Sequence, residues 1–153
     1  MKAFYEERII ESPHENNLYT EMIEPGEGTV VSGRLLYIKS LVENEASVKI
    51  GTRLQASDVP ITIDDPSEAT VQNLTWYGLK TLDCEGVICH LISSSREGYL
   101  LNNARNAFVA GMAVGLNKRL VMLSEGDVLV PLDYRDISKS YTSSEQALGF
   151  LDE

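Results

Sequence analysis

The chain is poor in several things, and each shortage removes a class of protein. No run of 18 apolar residues occurs among its 153 residues, so no segment has the length of a membrane-spanning helix. Cysteine is limited to Cys84 and Cys89. Their spacing suits neither a zinc knuckle nor a C-x-x-C redox pair, and a reduced, cytoplasmic setting is the expectation. Histidine is limited to His14 and His90, and no metal-ligand spacing appears, so no metal and no cofactor are expected. Basic residues are scarce: 13 Lys and Arg stand against 23 Asp and Glu, a formal charge of −10. That balance argues against a nucleic-acid backbone as partner, which needs clustered Lys and Arg, and against an anionic membrane surface. The first residues, Met1 to Arg8, turn acidic with no apolar stretch, so they do not read as a signal peptide. The phosphate signatures G-x-x-x-x-G-K-[ST] and G-x-G-x-x-G are missing, as is the G-x-S-x-G nucleophile elbow.

What is present is ordinary globular composition, 43% apolar and 24% charged. A domain of this length buries roughly 70% of its unfolded surface and needs no staples. Residues 1–27 carry seven acids (Glu6, Glu7, Glu11, Glu15, Glu21, Glu24, Glu27) against Lys2 and Arg8 and read as an acidic N-terminal arm. Residues 28–153 read as one α/β domain. Thr29-Val30-Val31 through Arg34-Leu35-Leu36-Tyr37-Ile38 predicts a strand. Residues 40–54 predict a helix from Val42, Ala46, Ile50 and Leu54. Val59 to Ile63 predicts a short strand. Asp65-Pro66-Ser67-Glu68 has the form of a helix start, with an Asp cap, Pro at the first position and Glu at the third. That helix is expected to continue through Val71, Leu74, Gly78 and Leu82. The apolar run Gly86 to Ile92 suits a parallel strand buried on both faces. A small-residue helix over 102–116, a strand at Leu120 to Leu123, an extended stretch at Leu129-Val130-Pro131-Leu132 and a last helix over 143–151 complete the pattern. Alternating strands and helices imply βαβ units and a mainly parallel sheet of four or five strands, covered by helices on both faces. The fold class is a three-layer, doubly wound Rossmann/flavodoxin-like domain.

In such sheets ligands bind beyond the carboxyl ends of the strands. That rule selects Asp64 after the second strand, Ser93, Ser94, Ser95, Arg96 and Glu97 after the apolar run, Glu125 after the next strand, and Asn102, Asn103 and Arg105 at the start of the following helix. Serines and amides leading into a helix N-terminus supply donors for a polar or anionic ligand; the same residues also make a plain solvated loop. Glu97 and Glu125 are the candidate catalytic carboxylates, able in principle to attack or protonate at a sugar carbon. Asp65 reads as a helix cap, which leaves Asp64 the freer of the two. His90, inside an apolar run, reads as a hydrogen-bonded core histidine, and Trp76-Tyr77 as packing. The segment from Pro131 to Asp136 reads either as a cover over the strand ends or as a pin for the last helix.

The run Asn103 to Leu123, with its Ala107-Phe108-Val109-Ala110-Gly111-Met112-Ala113 helix and its Gly115-Leu116-Asn117-Lys118 link, resembles the nucleoside 2-deoxyribosyltransferase-like Rossmannoid families, which border on the TIR-like nucleotide-cleaving domains. Asp83 to Ile88 looks like their strand entry, so the resemblance covers residues 83–123. It implies recognition of a nucleoside or nucleotide and cleavage or transfer at an N-glycosidic bond. In those enzymes a Glu directly after the motif's Phe attacks the sugar carbon. Here Val109 stands there, so the resemblance implies the fold and the ligand class without the reaction. Three readings stay open at this level. One is a nucleotide- or nucleoside-recognising domain with degenerate or absent chemistry. Another is an active N-glycoside hydrolase or deoxyribosyltransferase using Glu97 or Glu125. The third is an interaction subunit, a homo-oligomer or part of a larger assembly, with the arm and Ala147 to Leu151 as contacts.

Overall fold

A computed structural model describes residues 33–67, 72–126, 128, 130 and 134–152. The acidic arm, Thr29 to Val31, Glu68, Val71, Leu129, Pro131, Leu132 and Asp133 lie outside the described residues. The elements run β1 (Leu35–Ile38), α1 (Glu45–Gln55), β2 (Ile61–Asp64), α2 (Leu74–Asp83), β3 (Gly86–Leu91), α3 (Tyr99–Gly115), β4 (Arg119–Glu125), β5 (Ser138–Tyr141) and α4 (Ser144–Gly149). All four strand pairings are parallel, in the order β2-β1-β3-β4-β5. The domain is therefore the three-layer α/β fold expected, with a five-stranded sheet.

Alternation along the strands divides the core into two layers. Leu36, Ile38, Val87, Cys89, Leu91 and Met122 face α2 and α3, where they meet Tyr77, Val109, Ala110 and Ala113. Tyr37, Ile88, Leu123 and Tyr141 face the other way, onto Ala46, Ile50 and Leu54 of α1 and Ala147 of α4. The central strand β3 is buried at all six positions, which is why it reads as an unbroken apolar run. Ala110 and Ala113 keep α3 close to the sheet. Gly111 serves a different neighbour: a Cβ there would lie 3.0 Å from the Tyr134 hydroxyl, which donates to the Ala107 carbonyl. Tyr134 thus packs on α3, and Pro131 to Asp133 of its segment lie outside the described residues. The link after α3 is a helix-ending turn. Asn117 takes φ 55°, its N–H donates to the Val114 carbonyl, and the Lys118 N–H donates to the Ala113 carbonyl.

One expected element moves, and the fifth strand is not foreseen where it lies. The helix foreseen from Asp65 begins at Leu74, where Asn73 Oδ1 accepts the Trp76 N–H at 2.8 Å. Asp65 instead closes a short turn by accepting from the Ser67 N–H and hydroxyl, and pairs with Lys39 at 2.6 Å. The extended stretch expected at 129–132 lies outside the described residues except for Val130, which packs with Val128 on the α2/α3 layer, and the fifth strand is β5 at 138–141. The apolar end from Ala147 to Leu151 is partly used inside the domain. Ala147 is fully buried, and Leu148, Phe150 and Leu151 pack against the α1/α4 layer.

Candidate functional site

The order β2-β1-β3-β4-β5 puts the switch point between β1 and β3, where the helices change faces. That crevice is closed by α3's own side chains. Asn102 Oδ1 accepts the Leu41 N–H at 2.8 Å while its Nδ2 donates to the His90 carbonyl at 3.0 Å. Asn103 clasps both backbone groups of Ile92 at 2.9 Å. Asn106 Oδ1 takes the His90 N–H. The Arg105 guanidinium donates to the Lys39 carbonyl and lies 3.2 Å from Asp64, whose carboxylate also accepts the Tyr77 hydroxyl at 2.8 Å. Asp64 is therefore not the freer carboxylate of the two: it is buried beside Arg105, while Asp65 is held by Lys39 and Ser67. Asn102, Asn103, Arg105 and Asp64 hold the strand ends together, and none of them lines the open cleft.

The cleft lies further along the strand ends, over β3, β4 and β5. It is an open depression of about 650 Å³, lined by Val42, Ser93, Ser95, Arg96, Glu97, Glu125, Gly126, Tyr141 and Thr142. A smaller hollow of about 300 Å³ adjoins it, sharing Arg96, Glu125, Tyr141 and Thr142 and reaching the starts of α1 and α4. Five residues selected from sequence thus meet here: Ser93, Ser95, Arg96, Glu97 and Glu125. Ser94 is exposed in the same loop and does not line the cleft. Ser93 organises the loop, since its carbonyl accepts the Arg96 N–H at 3.0 Å and its hydroxyl meets Ser95 Oγ at 3.0 Å. Gly126, at φ 61°, lets the chain turn away from β4 and donate to the Tyr141 carbonyl at 2.8 Å.

Glu125 closes β4 and is bound from two sides. Arg96 grips both carboxylate oxygens through Nε and Nη2, and the Ser93 N–H donates to Oε2 at 3.1 Å. The guanidinium holds the Glu125 carboxyl below the usual carboxylate range. Beneath this pair runs a buried polar chain. The His90 ring meets the Tyr141 hydroxyl through Nε2 and the Tyr37 hydroxyl through Nδ1 at 3.3 Å. Burial pushes His90 down to about 4 and the Tyr141 phenol up. The imidazole is therefore neutral near pH 7, one ring nitrogen donating and the other accepting. His90 is the hydrogen-bonded core histidine its context implies.

Tyr141, Thr142 and Val42 escape the sequence reading. Tyr141 ends a polar edge strand that carries no periodicity. A signal does follow it: Ser143-Ser144-Glu145-Gln146 has a capping pattern, and Ser143 Oγ accepts the Gln146 N–H while Gln146 Oε1 accepts the Thr142 N–H. Both cysteines are buried free thiols, and burial raises Cys89 to about 12, so neither is a nucleophile at neutral pH. Among the described residues, no cluster of His, Cys, Asp and Glu is placed to hold a metal, and no helix is long and apolar enough to cross a membrane. Comparison of the sequence with protein-family models and with curated proteins returns no match.

Proposed function

We propose that the chain is a binding domain for a nucleoside or nucleotide that does not turn its ligand over. One observation carries the reading. The cleft at the carboxyl ends of β3, β4 and β5 combines hydroxyl donors (Ser93, Ser95, Thr142), carboxylate acceptors (Glu97, Glu125) and the apolar wall of Val42, while Glu125 has both oxygens committed to Arg96. Sugar hydroxyls and a flat base fit that mixture of groups. The chemistry is weak by the same geometry. A carboxyl held ionised by a guanidinium is a poor general acid, and a carboxylate with both oxygens taken is a poor nucleophile. The position that carries the attacking Glu in the deoxyribosyltransferase-like families is Val109, which is fully buried between α3 and the sheet.

The test is incubation with nucleosides, nucleotides and NAD, read by native mass spectrometry for retained ligand and by product analysis for free base. Retained ligand without free base supports the reading. Free base that disappears in Glu97→Gln or Glu125→Gln makes the chain an enzyme with a displaced carboxylate. Neither ligand nor product removes the reading.

One feature favours a second reading, an interaction module. The outer side of α3 exposes Leu100 (71%), Leu101 (63%) and Phe108 (49%), more large apolar surface on one element than scattered exposure accounts for. A mass that rises with concentration in light scattering supports it, and a monomer at every concentration counts against self-association.

A further inference from the structure

Phosphate recognition at the ends of a parallel sheet draws on two sources: free N–H groups at a helix start, and an unpaired cation. At this cleft the cation is engaged, and so are the starts of the two helices that reach its side hollow; the start of α3, at Gly98, has no side-chain cap, and its first residues do not line the cleft. The start of α1 is closed by a reciprocal cap, with Asn44 Oδ1 accepting the Ser47 N–H at 2.7 Å and Ser47 Oγ accepting the Asn44 N–H at 3.0 Å. The start of α4 is closed by Ser143 and Gln146. Among the described residues lining the cleft, Arg96 is the one cation, and its Nε and Nη2 both point at Glu125. Glu125 cannot drift off easily, because the Ser93 N–H fixes it from another side. Lys49, beside the side hollow's Glu45 and Glu145, is taken by those two carboxylates at 2.8 Å and 2.6 Å. With Glu97 on the rim, one cation, Arg96, stands among four carboxylates, Glu45, Glu97, Glu125 and Glu145, in the lining of the cleft and its side hollow.

We propose that Glu125 masks Arg96 and so sets the selectivity of the cleft, which takes the unphosphorylated form of its ligand in preference to the phosphorylated one. This rests on the reading of the cleft as a nucleoside or nucleotide site. A phosphate that reaches Arg96 must displace the Glu125 carboxylate and leave it beside a dianion. A neutral ligand leaves the pair intact and donates its hydroxyls to the remaining lone pairs of the carboxylate. Glu125→Gln keeps the shape, removes the charge and leaves the guanidinium available to a bidentate anion.

The experiment measures adenosine, AMP and inorganic phosphate by calorimetry on the wild type, Glu125→Gln, Glu97→Gln and the Glu125→Gln/Arg96→Gln pair. In the wild type, AMP is expected to bind no more tightly than adenosine, and phosphate not measurably. Glu125→Gln is expected to shift the AMP-to-adenosine ratio at least tenfold toward AMP and to bind phosphate. Glu97→Gln removes the same charge without freeing Arg96 and is expected to shift the ratio by no more than about twofold. The double variant is expected to lose the gain. An unchanged ratio in Glu125→Gln, or an equal gain in Glu97→Gln or the double variant, overturns the mask while leaving adenosine binding in place. If neither adenosine nor AMP binds but Glu125→Gln alone gains phosphate, the mask stands and the ligand class fails. Should Glu125→Gln lose its thermal transition, Arg96→Gln decides instead. A tenfold loss of AMP affinity with adenosine unchanged in that variant means Arg96 was never masked.

Discussion

Val109 is the residue at which resemblance and structure meet most sharply. The deoxyribosyltransferase-like pattern asks for a carboxylate there, and the fold gives that position a place in the α2/α3 core layer with no exposed surface. A carboxylate in that layer is larger than valine and finds no partner among Leu91, Cys89 and Met122, so it is protonated or expels itself. Val109→Glu is therefore expected to lose about 3–5 kcal/mol of stability, measured as a urea midpoint shift at constant slope, and to gain no cleavage of a nucleoside. A Val109→Glu protein as stable as the wild type would show that the α3 register differs from the one described. Other residues were legible singly. His90 could be read as a neutral core group because one histidine in an apolar run has no charged neighbour in sequence. Asp64 could not be told from Asp65. Which of two adjacent carboxylates turns inward depends on where the strand ends, and here β2 ends on Asp64 and aims it at Arg105 and Tyr77.

Elements were legible where burial is symmetrical and obscure where backbone pairing carries them. β3 and β4 announce themselves by apolar runs, and α3 by its small residues. β5 is Ser-Lys-Ser-Tyr, with only Tyr141 buried; it belongs to the sheet through main-chain bonds to β4, which leave no mark on composition. The caps were legible in type and misplaced in position. Asp65-Pro66 has every feature of a helix start, yet α2 starts at Leu74 with Asn73 as its cap, since Asp65 finds Lys39 and Ser67 closer at hand. Asn44, just ahead of α1, is the stronger unnoticed signal. Its Oδ1 caps the helix, so Asn44→Ala is expected to cost about 1 kcal/mol and Asn44→Asp, which keeps the accepting oxygen, only a few tenths. Chemical denaturation of the two variants checks this. Equal losses would mean that the Nδ2 side of the amide, packed near Tyr141, matters more than the cap.

At the scale of the whole molecule, the parallel three-layer plan follows from alternating apolar strands and helices. The strand order does not, because it depends on which side of β1 each crossover lands. That order decides where the cleft lies: it opens a switch point between β1 and β3, which Asn102 and Asn103 then close, and so moves the cleft toward β5. The same plan makes stability depend on pH through the polar chain laid across the sheet. His90 is ordinarily half-protonated near 6.5 and in the folded protein near 4, because burial disfavours its charged form. Above 6.5 both folded and unfolded chains carry it neutral. As pH falls from 6.5 to 4 the unfolded chain takes up a proton that the folded chain refuses, so stability falls, by about 3 kcal/mol over the window, and the His90 contribution then levels off. Glu125 acts in the same direction at lower pH. Its folded carboxyl titrates below the ordinary range, so the benefit of the Arg96 pair is present above that range and lost as pH falls through the lowered value. Urea denaturation at pH 7, 5.5 and 4.5 should show the decline begin before any carboxylate titrates. His90→Phe should flatten the upper part of that curve and leave the lower part steep. A wild-type curve level between pH 7 and 4.5 would mean that the imidazole accepts its proton in place, with Tyr37 and Tyr141 turning to receive it, and that the chain beneath the cleft is charged when it binds.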